Sequence, residues 1–190
     1  MASRRRRGRA WRALLALLVL GALLAGPLRQ PVLRLCFPVR DADLVQDSAT
    51  RHGLDPALVC AVVDCESGWD PDARSAAGAR GLMQVMPQTA RELAASGAVD
   101  AGRYDPEALD DPATCLEYGC AYLELLGRGL SSTEEVVCAY NAGPGAVDEW
   151  LATGDGVPDA IRYDETRTYL GRVMRARDGY RAAYPDGIAG

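Results

Sequence analysis

With 190 residues, 48% of them hydrophobic, and neither an internal repeat nor a low-complexity run, the chain suits one globular domain plus an N-terminal appendage. The net charge of −5 hides an asymmetry: eight of the 21 basic residues and none of the 26 acidic ones lie in residues 1–34, leaving 13 against 26, or −13, in the remainder with His52 neutral. So acidic a domain argues against nucleic acid as a partner, because affinity for phosphate backbones rests on Lys and Arg.

Residues 1–12 carry six arginines and no acid, and an apolar run from Ala13 to Leu28 follows, broken only by Gly21, Gly26 and Pro27. This is an export signal. The run lies between the roughly 20 apolar residues of a spanning helix and the about 7–15 of a cleaved signal. Ala22 to Ala25 is not a clean small-x-small cleavage site, and apolar character resumes from Val32 to Phe37. The reading is therefore an uncleaved anchor over residues 11–28. The arginines stay in the cytoplasm, and the domain lies on the extracytoplasmic face of the membrane. Residues 1–35 form the export and anchor segment and residues 36–190 the domain.

The domain reads as all-α. A short helix is expected from Asp41 to Arg51, stopped by Gly53. Asp55 can cap a second helix whose first position suits Pro56 and which Gly68 ends. Pro87 to Ala95 is a third. Asp111-Pro112 repeats the cap-then-proline start, and Leu116, Gly119, Cys120, Leu123 and Leu126 form a helical stripe up to Gly127, with Gly119 permitting close packing. Ser132 and Glu135 make a capping box for the helix that Gly143-Pro144 ends. A last helix runs from about Asp164 to Tyr184, with Tyr169, Val173, Tyr180 and Tyr184 on one side. No stretch alternates as a strand.

Glu66 stands out. It falls in the last turn of its helix, three, four and seven residues after Val63, Val62 and Val59, so it lies on the apolar stripe. Desolvation and the negative end of the helix dipole both raise a carboxyl's pKa, and a glutamic acid that keeps its proton near neutral pH is what a general acid requires. A Glu in such a place is more often tied to backbone or Arg. The next twenty residues change the odds, because Ser67, Gly68, Pro71, Ser75, Gly78 and Gly81 make a tight polar loop that brings Gln84 into an apolar run before Pro87, and such loops bring backbone close to ligands.

The six cysteines, Cys36, Cys60, Cys65, Cys115, Cys120 and Cys138, leave one or two bridges and buried free thiols equally open. Metal binding is disfavoured. Cys60 and Cys65, like Cys115 and Cys120, stand about 140° apart around a helix, and the chain has one histidine.

Three segments in order, ESGWDPDARSAAGARGLMQVMPQTA from Glu66, AYNAGPG from Ala139 and ETRTYL from Glu165, resemble the three motifs of the SLT-type lytic transglycosylases, goose-type-lysozyme-like enzymes that cut peptidoglycan. The resemblance covers about residues 41–184. It implies a lysozyme-like all-α fold and a reaction without metal or cofactor. Glu66 would protonate the glycosidic oxygen between MurNAc and GlcNAc and then deprotonate the MurNAc C6 hydroxyl as it closes on C1, giving 1,6-anhydro-MurNAc. The same resemblance places Ser75 at the substrate N-acetyl group and Met86 in the cleft wall. It puts Tyr140 close to the acid, Asn141 along the sugar groove, and Glu165 and Tyr169 in or beside the cleft, with Gln84 among the substrate-binding residues. The partners it implies are peptidoglycan strands and the membrane, for a monomeric protein. Two rivals stand beside it: a lysozyme-like muramidase in which an acid such as Asp70 holds the attacking water, and a non-catalytic wall-binding module.

Overall fold

The computed structural model describes residues 26–189 together with Leu14, Leu17, Gly21 and Ala22. The expected anchor over residues 11–28 lies largely outside the described residues, among which no helix is long and apolar enough to cross a membrane. The fold is all-helical: α1 (Arg29–Cys36), α2 (Ala42–Arg51), α3 (Pro56–Ser67), α4 (Pro87–Ala95), α5 (Pro112–Gly127), α6 (Thr133–Ala142), α7 (Pro144–Leu151) and α8 (Asp164–Ala183). The only sheet-like pairs among the described residues are two isolated antiparallel bridges, Arg74 to Arg80 and Arg80 to Val85.

The caps that the sequence announces are made. Asp55 accepts from the Ala57 amide at 3.0 Å with Pro56 in the first turn, and Asp111 accepts from Thr114 at 2.9 Å with Pro112 following. Ser132 accepts from Glu135 at 3.2 Å, while the Glu135 carboxylate reaches one residue further back than a capping box requires, to the Ser131 amide at 2.7 Å. Two helices have no counterpart in the sequence reading. Gly143 ends α6 and also serves as the N-cap of α7, so Pro144 opens a helix as well as closing one. Helix α1 crosses residue 35.

Helix α3 is the hub. Ala57 to Val63 are all buried, so it is apolar on every side and not along one stripe as its spacing suggested. Each of its fully buried valines contributes about 1.5–3 kcal/mol against exposure. It packs along α8 and against α2, while α8 also receives α1 and α6, and α5 joins α2, α4 and α6. At the far end of α8 from its first turn, α1 is clasped. Arg34 Nε donates to Ala183 O at 3.3 Å, Tyr184 Oη to Phe37 O at 3.1 Å and Tyr180 Oη to Pro38 O at 3.3 Å, and the Phe37 and Tyr180 rings meet edge to face at 5.4 Å.

Residues 68–86 form the loop between α3 and α4, and two glycines let it close on α5. At Gly119 a Cβ would collide with the Met83 side chain, so the close packing expected there is with the loop. At Gly81, with φ of 73°, a Cβ would meet the Leu109 carbonyl and the Cys115 thiol. All six cysteines are free, four of them buried, which resolves the open choice in favour of thiols.

Candidate active site

Glu66 stands half-buried in the last turn of α3, just before the left-handed C-cap Gly68. Its partner comes from α8, whose buried Tyr169 donates its hydroxyl to Glu66 Oε1 at 2.6 Å. With Oε1 engaged, Oε2, which accepts no hydrogen bond among the described residues, is the oxygen free to carry a proton. Burial pushes the carboxyl above the ordinary glutamate range, and the Tyr169 hydrogen bond and the Arg172 guanidinium pull it part of the way back. The phenol is held well above its own ordinary range by burial and by the neighbouring carboxylate, so it remains a donor at any physiological pH.

Tyr140, in the last turn of α6, has the same character for a different reason. Its hydroxyl donates to Met83 O at 2.8 Å, its ring packs 5.4 Å from Tyr122, and burial first, then the nearby Glu66 charge, raises its phenol strongly. It therefore ties α6 to the loop, and the direct hydrogen-bond partner of Glu66 is Tyr169. Asn141 follows it, exposed, with Oδ1 accepting from the buried Thr166 hydroxyl at 2.8 Å. Asn141, Glu165 and Tyr169 share the wall of one cavity of about 330 Å³ with Asp164, Thr168 and Arg172.

The remaining residues singled out by sequence lie on the loop and do not line that cavity. Gln84 takes a left-handed backbone, φ 48°, unusual for a residue with a side chain, and its carboxamide nitrogen donates to both Ala73 O and Gly81 O at 3.0 Å. The nitrogen end is thus committed to holding the loop. Ser75 is exposed, with Oγ accepting from the Ala79 amide at 3.0 Å. Met86 is exposed at the N-cap of α4. Trp69, also at positive φ (68°), is buried, and its indole nitrogen donates to Tyr180 Oη at 3.0 Å.

Three supporting groups escaped the sequence reading. Ser67 Oγ donates to Leu82 O at 2.8 Å and accepts from the Trp69 amide, joining the helix end to both sides of the loop. Cys115 Sγ accepts from the Met83 amide at 3.3 Å, next to the carbonyl that Tyr140 uses. Thr166 orients Asn141, and its position beside Glu165 in ETRTYL was the available signal. As for a second carboxylate, Asp70 is exposed and occupied in a turn, accepting from the Asp72 amide at 3.0 Å.

The arrangement is a single desolvated acid with a neutral donor behind it and a polar cavity beside that donor. Similarities to known proteins agree with it. Residues 43–160 match the family described as the transglycosylase SLT domain. The soluble lytic murein transglycosylase of Escherichia coli (strain K12) is 33% identical over 151 residues, covering 76% of this chain and 23% of that protein. The membrane-bound lytic murein transglycosylase C of Actinobacillus pleuropneumoniae serotype 5b (strain L20) is 32% identical over 163 residues, or 72% of this chain and 44% of that one. The crystal structure of the 70 kDa soluble lytic transglycosylase from Escherichia coli superposes with a TM-score of 0.75 at 31% identity, over 89% of this chain and 28% of that chain, and a complex of the 70 kDa soluble lytic transglycosylase with bulgecin A superposes with a TM-score of 0.74 at 31% identity, over 89% of this chain and 28% of that chain. This chain thus spans less than half the length of these relatives. It belongs to the SLT transglycosylase family, with that family's lysozyme-like all-α fold.

Proposed function

We propose that the domain cleaves the β-1,4 bond between MurNAc and GlcNAc in peptidoglycan without consuming water, with Glu66 as the only proton-transfer group. The observation that carries this is the Glu66–Tyr169 pair: a half-buried carboxyl with a raised pKa, one oxygen of which meets a donor while the other has no hydrogen bond among the described residues. Glu66 protonates the glycosidic oxygen, the C1–O bond breaks, and the substrate's own N-acetyl carbonyl shares the developing positive charge. Glu66 is then a carboxylate, stabilised by the Tyr169 hydroxyl, and takes the proton of the MurNAc C6 hydroxyl as that oxygen bonds to C1. The proton returns to Glu66, and the product ends in 1,6-anhydro-MurNAc. Glycosidases that use water rely on a second carboxylate, and the engagement of Asp70 in its own turn supports the non-hydrolytic route.

In this reading Asn141, Glu165 and Tyr169 contact the glycan in the cavity they share. Ser75, Gln84 and Met86 act from the loop, and Tyr140 holds the loop to α6. The protein works as a monomer on the outer face of the cell membrane, attached through residues 1–35, with residues 36–190 as the catalytic domain. The apolar run at Ala13 to Leu28 and the relatives named membrane-bound support that placement. Mass spectrometry of muropeptides released from purified peptidoglycan by the protein tests the reaction. Anhydro ends, lighter by one water than reducing ends, are expected, and reducing ends would establish a muramidase.

A further inference from the structure

Helix α8 reaches Glu66 with two side chains, one of which the proposed reaction leaves unused. Tyr169 and Arg172 are three residues apart and so project from one face of the helix, and both line the 330 Å³ cavity. They grip consecutive residues at the C-terminal end of α3: Tyr169 donates to the Glu66 carboxyl at 2.6 Å, and Arg172 Nη2 donates to the Cys65 carbonyl at 3.3 Å. A helix C-terminus is the negative end of the dipole, with carbonyls that lack intrahelical partners, so a cation bonded there stabilises the end that holds Glu66. Arg172 forms no salt bridge among the described residues, whereas Arg51, Arg74, Arg80, Arg91, Arg128, Arg177 and Arg181 each have a carboxylate within reach.

The groups facing Glu66 are few. Tyr169 and Arg172 act on it from α8, its charge is felt by Tyr140 on α6 and by Cys65 on α3, Asp64 faces Arg172 and Cys65, and Glu165 stands on the cavity wall. Arg175 acts on Cys65. Arg172 is the cation among those that act on Glu66, in a domain of net negative charge.

We propose that Arg172 is a positioning residue for the reaction: bonded to the carbonyl next to Glu66, its guanidinium fixes the end of α3 and stabilises the carboxylate that Glu66 becomes when it gives its proton to the leaving oxygen. The inference rests on the reading of Glu66 as the acid, and it concerns the half of the cycle in which that residue is charged. The Arg172 guanidinium is committed to the Cys65 carbonyl and not to the glycan, so its loss reaches kcat before KM.

The test compares Arg172→Gln and Arg172→Lys with the wild-type full chain over a pH series on purified glycan strands. For Arg172→Gln the expectation is a kcat roughly tenfold lower and a KM within twofold. Because the removed cation had favoured the carboxylate, the alkaline limb should move upward by roughly half to one pH unit. Arg172→Lys should restore the limb. A limb that stays put while kcat falls equally at every pH shows a purely structural role and overturns the proposal. So does a rise in KM alone, which would mark a substrate contact. A second measurement needs no turnover: NMR titration of the Glu66 carboxyl in the labelled full chain must give a higher value in Arg172→Gln than in wild type, and an unchanged value sinks the proposal. This separates its failure from that of the underlying reading, which is judged by whether Glu66→Gln abolishes glycan cleavage.

Discussion

Two glutamates withdrawn from water, Glu66 at the end of α3 and Glu117 in the middle of α5, have opposite fates. Glu117 is nearly fully buried, yet it has Arg51 at 2.6 Å, the Ser48 hydroxyl at 3.0 Å and the His52 imidazole at 3.4 Å. Burial works to raise its carboxyl, and His52, Arg51 and Ser48 outweigh that, holding it at about 2. Glu66 leaves more of its surface exposed to solvent but receives only one neutral hydroxyl and a more distant cation, so desolvation wins and its carboxyl is raised. Burial alone does not make a catalytic acid. What decides the outcome is how much of the lost hydration the neighbours replace, and at Glu66 they replace only part.

The two carboxyls therefore differ in the sign of their pH dependence. A depressed carboxyl such as Glu117 stabilises the fold above its ordinary value of about 4.5, and that contribution is lost as pH falls toward 2. His52 is raised by Glu117, against burial, with Glu124 at 2.8 Å adding to the rise. Its contribution is complete below the ordinary 6.5 and is lost as pH climbs through its raised value. The cluster is therefore firmest between these two limits. Glu66 has the opposite slope to Glu117: folding favours its protonated form, so ionisation at neutral pH weakens the fold.

The contrast can be broken in four places. The largest effect is expected from Glu66→Gln, which on the proposed mechanism removes both proton transfers and should lower turnover by about 10⁴-fold or more. By relieving a desolvated charge, the same change should raise Tm at neutral pH, measured by calorimetry. Glu117→Gln should do the reverse. It leaves Arg51 and His52 without their shared carboxylate and should cost ~2–3 kcal/mol, or roughly 5–10 °C in Tm, at pH 6, with the difference from wild type shrinking as pH approaches 2 and per-molecule turnover kept. Tyr169→Phe sharpens the comparison at the active site. A hydrogen bond to a charged group is worth ~1.5–3 kcal/mol, so turnover should fall roughly 10–100-fold and the alkaline limb of the rate profile should move up, as read by steady-state kinetics on glycan strands. Asp70→Asn is the smallest. An exposed turn residue with no chemical role should change turnover less than about twofold, and a loss matching that of Glu66→Gln would establish Asp70 as the base for water.

Much of this was legible in the sequence for reasons that are local. The starts of α3, α5 and α6 were marked by Asp55-Pro56, Asp111-Pro112 and Ser132, because caps act within three residues of themselves. The position of Glu66 in a last turn among valines came from helical spacing alone. What stayed hidden depends on contacts between distant segments. That α3 is buried all round reflects α2 and α8 closing on it. That Tyr169 is the hydrogen-bond partner of Glu66, while the nearby Tyr140 bonds Met83 O, is a fact of the α3–α8 crossing, 103 residues apart in the chain. Helix α7 was missed because Gly143-Pro144 was read only as a stop, although proline fits a first turn as well as it breaks an interior one.

The clasp between α1 and α8 has a mechanical consequence. Tyr169 and Ala183 lie fourteen residues apart on α8, about 21 Å at 1.5 Å per residue, with the cleft at one end and the grip on Arg34 and Phe37 at the other. The helix between them is a strut with no hinge in it. On the proposed attachment through residues 1–35, whatever holds residues 29–36 would set the height and tilt at which Glu66 is presented, in the way a depth stop sets a cutter.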